Sequence, residues 1–291
     1  VVIQAIVDAL GNGGLYGLAA LGIGLVFGVM RLVNFAHGEL VALGAYLLMV
    51  TLRWGVIPAI LVALAGVAAL AIVMDLGVFS RLRGAEPSVL LIASFGVSVL
   101  LQRCYELVFG ALPLSGQVAP WMAGVWTLGD VRVSRGSVTT LTLTLALLAV
   151  MKVAVERTTV GLQLRAASAD FRTARLLGVR SNRVILSAFA VSGLLAAVVA
   201  FFVVAQRGQV DPRFGVNITI LALVGTVVGG LGSLQGAALG GMLVGITLSV
   251  LNTVLGAARV YSYTVLFVLV ITVLLLRPTG LLSRGVVKER V

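Results

Sequence analysis

One cysteine and one histidine, Cys104 and His37, are the whole supply of thiol and imidazole metal ligands in this 291-residue chain. A single cysteine rules out an intrachain disulfide and a paired-cysteine metal site, and predicts a packed or lipid-facing thiol. Charge is scarce as well. Charged residues make up 11% of the chain, and only ten are acidic, against roughly a quarter in an ordinary soluble domain. No HExxH motif and no GxxxxGK[ST] loop occurs, so neither a zinc hydrolase nor a nucleotide-binding cradle is encoded. The chain is therefore not expected to be an enzyme or to hydrolyse ATP, and it is expected to bind no cofactor or metal.

What fills the space is apolar. Hydrophobic residues account for 60% of the sequence and mean hydropathy is +1.16. Runs of about 20 apolar residues, the length that crosses a hydrocarbon core of about 30 Å, recur along it. The fold expected is all-α, a polytopic transmembrane helical bundle of about eight spans, eight or nine, in a single transmembrane domain over 1–291. The bilayer is its first partner.

The net charge of +11 does not point to nucleic acid, because the basic residues sit in the gaps between apolar runs. Residues 152–183 hold seven of the 21, and residues 277–290 hold four more. The positive-inside rule makes both stretches cytoplasmic. From that anchor residues 184–206 run outward, and Arg207 to Gly215 is an external turn. Residues 214–258, free of charge, make two passes joined near Gly229 to Gly236, and a last span near 260–276 returns inward. Upstream, residues 56–78 and 137–155 run inward, residues 87–102 begin an outward span, and an external loop over 103–135 carries Trp121 and Trp126.

The first 53 residues admit two arrangements. Either both of their apolar runs cross fully, giving nine spans and an external amino end, or one is re-entrant, giving about eight and an internal amino end. The second is the expectation, since Leu40 to Leu52 is only 13 residues between Glu39 and Arg53, short for a crossing but suited to half of a broken helix.

Polar residues inside an apolar span are costly and need a role, roughly 2.5 to 3.5 kcal/mol for Arg or Asp at a helix centre on insertion scales. The segment GVMRLVNFAHGELVALGAY, Gly28 to Tyr46, collects Arg31, Asn34, His37 and Glu39. With Phe35, the last three are the candidates for a substrate pathway or helix break. If helical, Arg31, Asn34 and His37 share one side and could line a route for a zwitterion. Alternatively, Asn34 and His37 satisfy backbone groups freed at a break, with Glu39 paired to Arg31 or capping a half helix. Both readings stand at this stage.

Glycine supplies a second pattern. Of the 35, many recur four apart, as in Gly13 and Gly17 or Gly225 and Gly229, and each such pair clears one helix face for a neighbouring backbone. Gly229, Gly232, Gly236 and Gly240 are the candidates for close helix packing. The same spacing would also let a helix break or slide where a substrate passes.

Between 156 and 183 the text changes from lipid-like to amphipathic. Leu164, Ala167, Phe171, Ala174, Leu177 and Gly178 recur at three- and four-residue steps, with Arg165, Asp170, Arg172 and Arg175 between them. Such a stripe suits a short helix docking into a partner's groove. A helix lying at the headgroup boundary would look the same.

The strings NFAHGELVALGAY, LQLRAASADFRTARLLGVRSNRV, VVGGLGSLQGAALGG and RPTGLL, in that order, resemble the permease subunit of bacterial branched-chain amino acid ABC importers over nearly the whole chain. Two departures are the stretch FSRLRGAEP, which follows the family's usual Tyr-Arg-Pro loop only loosely, and the polar Arg31. The resemblance implies a multi-pass protein of the bacterial inner membrane, with its carboxy terminus and the 156–183 loop cytoplasmic. It also implies a second related permease, two ATP-binding subunits that use the ATP, and an external or periplasmic solute-binding protein. Arg165, Asp170, Arg175, Leu177 and Gly178 would then couple to the ATPase, and the cargo would be Leu, Ile or Val. A urea or amide importer of the same family remains an alternative cargo class, and an ion-coupled secondary transporter an alternative mechanism.

Overall fold

The computed structural model describes residues 2–31, 33–128, 131–169 and 171–281. Apolar runs become helices because a helix satisfies its own backbone where water is absent. In chain order they are α1 (Val2–Met30), α2 (His37–Thr51), α3 (Val56–Gly77), α4 (Pro87–Phe109), α5 (Arg135–Arg157), α6 (Thr159–Ala169), α7 (Phe171–Leu176), α8 (Ser181–Arg207), α9 (Phe214–Gly229), α10 (Leu234–Val254) and α11 (Ser262–Leu276). Four short strands join them, β1 (Leu114–Ser115), β2 (Val125–Leu128), β3 (Val131–Ser134) and β4 (Gln209–Val210). β2 and β3 form a hairpin, while β1 pairs antiparallel with β4 across the chain. The external loop expected over 103–135 thus carries strands that an all-α reading omits.

Two faces can be told apart by what meets there. On one, here the elbow face, the end of α1 touches α6, with Arg31 Nη2 donating to Ser168 O at 3.2 Å. The chain beyond α11 reaches the same face, where Leu281 N donates to Val228 O at 2.8 Å. On the other, the hairpin face, the first turns of α1 lie against the start of α5, and Asp8 accepts from Ser137 Oγ.

Among the described residues, seven helical segments are long and apolar enough to span a membrane: α1, α3, α4, α5, α8, α10, and α11 taken together with the 3-10 turn Gly256–Tyr261 that leads into it. α2 and α9, at 15 and 16 residues, reach about 22 to 24 Å at 1.5 Å per residue. Each is preceded by a stretch of non-helical chain. Counting them, the chain traverses nine times, and its first helix starts on the face opposite α6. The count is the higher of the two expected, and the amino end lies on the face opposite the elbow, the arrangement less favoured from the sequence. α2 is short, as the 13-residue run from Leu40 to Leu52 suggests, and the non-helical residues 33–36 lead the chain from the end of α1 into it.

α1 is the axis. Leu18, Ala19 and Ala20 are fully buried, enclosed by α5, α8, α9 and α10. α10 runs antiparallel along α1, so that Gly241 faces Tyr16 O and Gly245 faces Asn12 O with no room for a side chain between. On the elbow face, Asp75 at the end of α3 is fully buried and receives both 2.8 Å bonds from one nitrogen of Arg83, which also reaches Asn182 on α8. That acid is already neutralised by a structural partner.

Candidate functional site: a polar helix break and a basic elbow

The first break begins at Arg31, whose N–H still closes a helical bond to Phe27 O at 2.8 Å while its φ of +54° turns the chain out of the helix. This left-handed position usually belongs to glycine. Asn34 then organises the return. Its Oδ1 accepts from Ala36 N at 3.0 Å and its carbonyl from His37 N at 3.3 Å, a side-chain-braced turn that starts α2. The backbone left without helical partners turns to α4. Phe35 N donates to Ser94 Oγ at 3.3 Å, and Val33 O lies 3.2 Å from the same hydroxyl.

Two buried side chains extend this seam. Glu39 is fully buried in the first turn of α2, and its Oε1 accepts from Ser98 Oγ and from Gln102 Nε2, both at 2.9 Å. Tyr105, one turn further along α4, donates to the Glu39 carbonyl at 2.8 Å. Ser94, Ser98, Gln102 and Tyr105 therefore make one polar stripe on α4, the first meeting the break and the other three converging on Glu39. His37 lies between α1 and α8. Ser192 Oγ sits 2.9 Å from Gly22 O and 3.2 Å from His37 Nδ1, so with the serine proton directed at the carbonyl, the pair is completed by the Nδ1–H tautomer. A Cβ on Gly22 would fall 2.7 Å from His37 Cε1, and the glycine is what admits the imidazole.

Among the described residues, Asn34 Nδ2, His37 Nε2, Glu39 Oε2 and the Tyr46 hydroxyl have no hydrogen-bond partner. The seam thus holds unspent donors and acceptors at the root of α2. No group of three or more metal-ligating side chains occurs among the described residues, and the Ser192–His37 pair is buried between helices. What the arrangement can do is hold the break and present hydrogen-bonding groups. The helical stripe of Arg31, Asn34 and His37 does not form, because residues 31 and 33–36 are not helical. Nor does Glu39 pair with Arg31, which is exposed and turned toward α6. Phe35 is half-buried beside Asn34.

The elbow is two short helices. Leu164 and Ala167 of α6 and Ala174 of α7 are buried, so most of the apolar stripe packs inward on the protein itself. Its end does not. Leu176 and Leu177 are 83% and 79% exposed, and Gly178 follows with φ +88°. Val179 N closes the α7 terminus onto Ala174 O at 3.0 Å, a left-handed helix stop that needs the glycine. Arg165 reaches back to Glu156 O at 3.1 Å and holds α6 against the end of α5. Asp170 lies outside the described residues, as do the side chains of Phe171, Arg172 and Arg175 and the stretch 282–291.

Of the four packing glycines, Gly229 and Gly240 meet backbone to backbone, and Gly236 faces the Gly229 carbonyl. Gly232 differs: it is a turn residue at φ +95°, open except for Arg31 Nη1 nearby. A four-residue spacing cannot distinguish a helix contact from a turn. The sequence reading also passed over Ser94, Ser98, Gln102, Tyr105 and Ser192. Their signal, polar groups at three- and four-residue steps in an apolar span, was present for α4 and absent for the lone Ser192.

The family model for "branched-chain amino acid transport system / permease component" matches residues 5–274. The chain is 32% identical to the high-affinity branched-chain amino acid transport system permease protein BraD of Pseudomonas aeruginosa, over 99% of this chain and 97% of that protein. It is 29% identical to LivH of Escherichia coli over the same shares. A probable branched-chain amino acid permease of Methanocaldococcus jannaschii is 25% identical over 91% of this chain and 87% of that protein.

Proposed function

The chain belongs to the permease components of branched-chain amino acid transport systems, and from that premise we propose that it is one membrane half of an ATP-driven importer of Leu, Ile and Val. The observation that carries this reading is the end-to-end likeness to two such permeases. Nothing in either is left over for a nucleotide-binding domain, and this sequence has no phosphate-cradling loop. ATP is then hydrolysed by separate subunits, two of them, with a second related permease and a solute-binding protein completing the complex. The whole chain works as one permease domain in the cell membrane.

The ATPases dock on the elbow face, which makes that face cytoplasmic and the hairpin face external. Leu176 and Leu177 supply the exposed apolar contact, and the arginines around them set its charge. α6, buried through Leu164 and Ala167 and tied to Arg31, passes a push on the elbow to the end of α1. The polar seam at Asn34, His37 and Glu39 serves first to hold the break from which α2 departs.

The test is uptake in proteoliposomes holding both permeases, the ATPases and the binding protein, with Leu, Ile, Val, urea and small amides as cargo. ATP-dependent uptake of the three aliphatic amino acids is expected. Uptake of urea or amides alone assigns the alternative cargo, and uptake by this chain alone under a proton or sodium gradient overturns the proposal. In the same system Gly178→Leu should lower transport per ATP hydrolysed at least fivefold with the complex still assembled. An unchanged ratio removes the elbow from coupling.

A further inference from the structure

Where α1 begins, the hairpin face is hollow. A cleft of about 640 Å³ opens between the first turns of α1 and the ends of α5, α8 and α10, inside the size range of small-molecule sites. Nine of its fourteen lining residues are polar, in a chain that is 60% hydrophobic. Gln4, Asp8 and Asn12 stand at four-residue steps and so share one side of α1. Gln206 faces them from α8, Ser249 and Asn252 from α10. A second hollow of about 360 Å³ adjoins the first through Ala5 and Thr253, and otherwise only apolar side chains of α1 and α10 line it. The floor beneath both is closed by the tight α1–α10 contact, where Gly13 meets Ile246 and Gly245 meets Asn12.

We propose that these two hollows form one site for an aliphatic α-amino acid on the hairpin face of the membrane complex. The inference rests on the importer reading above and adds to it the place where the cargo first meets this chain. Asp8 and the carboxamides of the cleft take the ammonium and carboxylate ends. Asp8 is the single acid in the lining and draws the ammonium, while Asn12, Gln206 and Asn252 offer both donors and acceptors. The apolar hollow beside them takes the branched side chain. A polar recess joined at its edge to a dry one matches a molecule with a charged head and a greasy tail. Entry further inward requires α1 and α10 to part along their glycine contact, so the site is a vestibule in front of a closed gate.

Cysteine chemistry tests this directly, since Cys104→Ser leaves a chain without thiols. On that background Asn252→Cys and Thr253→Cys, in the membrane complex of both permeases and the ATPases in nanodiscs without the solute-binding protein, are labelled with a charged methanethiosulfonate reagent. L-Leucine is expected to slow labelling at least fivefold, and 4-methylvalerate, which lacks the ammonium, to slow it less than twofold. Asp8→Asn should erase the difference between the two. If leucine leaves the labelling rate unchanged while the same complex imports leucine in proteoliposomes, the vestibule is wrong. Equal protection without leucine once the solute-binding protein is added would show a protein loop in the cleft and overturn it as well. Protection by a different solute that is imported in place of leucine would instead sink the cargo assignment.

Discussion

α2 and α9 are both half helices entered from a break, and they meet so closely at Gly38 and Gly215 that a side chain on either glycine would strike the other's backbone. Their breaks are built in different ways. Before α2, the chain turns inside the protein, and its freed backbone groups are satisfied by side chains: Asn34 from within and Ser94 from α4. Before α9, the chain turns at the hairpin face, where β4 pairs with β1 and Asp211 Oδ1 accepts from Arg213 N at 2.9 Å. Depth explains the contrast. A buried break needs dedicated partners because an orphaned backbone group there costs its full desolvation, whereas a break at the surface can use backbone pairing and solvent.

The contrast can be broken most severely where the helices touch. Gly38→Val or Gly215→Val drives a branched side chain into backbone that cannot yield, beyond the about 1 to 3 kcal/mol of ordinary overpacking. Membrane abundance should fall below a tenth of wild type, while Gly77→Ala, with nothing within 4 Å, should match wild type. Abundance of Gly38→Val near normal on a quantitative blot would show that the two breaks are not locked together.

Removing the buried partner comes next. Ser94→Val removes the hydroxyl that accepts from Phe35 N and should cost about 1 to 3 kcal/mol, read as an earlier denaturation midpoint in detergent. Glu39→Leu removes the acceptor that Ser98 and Gln102 share, leaving them only their mutual 3.2 Å bond, and should act in the same direction. Asp211→Ala, the matching change at the surface break, should cost no more than about 1 kcal/mol in the same assay. A larger loss from Asp211→Ala than from Ser94→Val would refute the depth argument.

Much of this molecule was legible without coordinates. α3, α5, α8 and α11 start and stop within a few residues of the apolar runs that announce them, because in a membrane the helix boundary follows the loss of apolar character and little else. The position of the first break was legible as well, in a polar cluster too costly to be accidental. What it does was not: Glu39 points to Ser98 and Gln102, about 60 residues away, and the stripe of Arg31, Asn34 and His37 dissolves once residues 33–36 leave the helix.

The sequence by itself determined that the protein lives in a bilayer, where charge gathers and which family it joins, since each follows from local composition or a contiguous string. Tertiary structure alone decided on which face the first helix starts, which glycines are contacts and which are turns, that the elbow's stripe packs mostly inward, and that Gln4, Asp8 and Asn12 share a cleft with Asn252. Those outcomes depend on which helices lie side by side, and a period of four along one helix is silent about the neighbour it will meet.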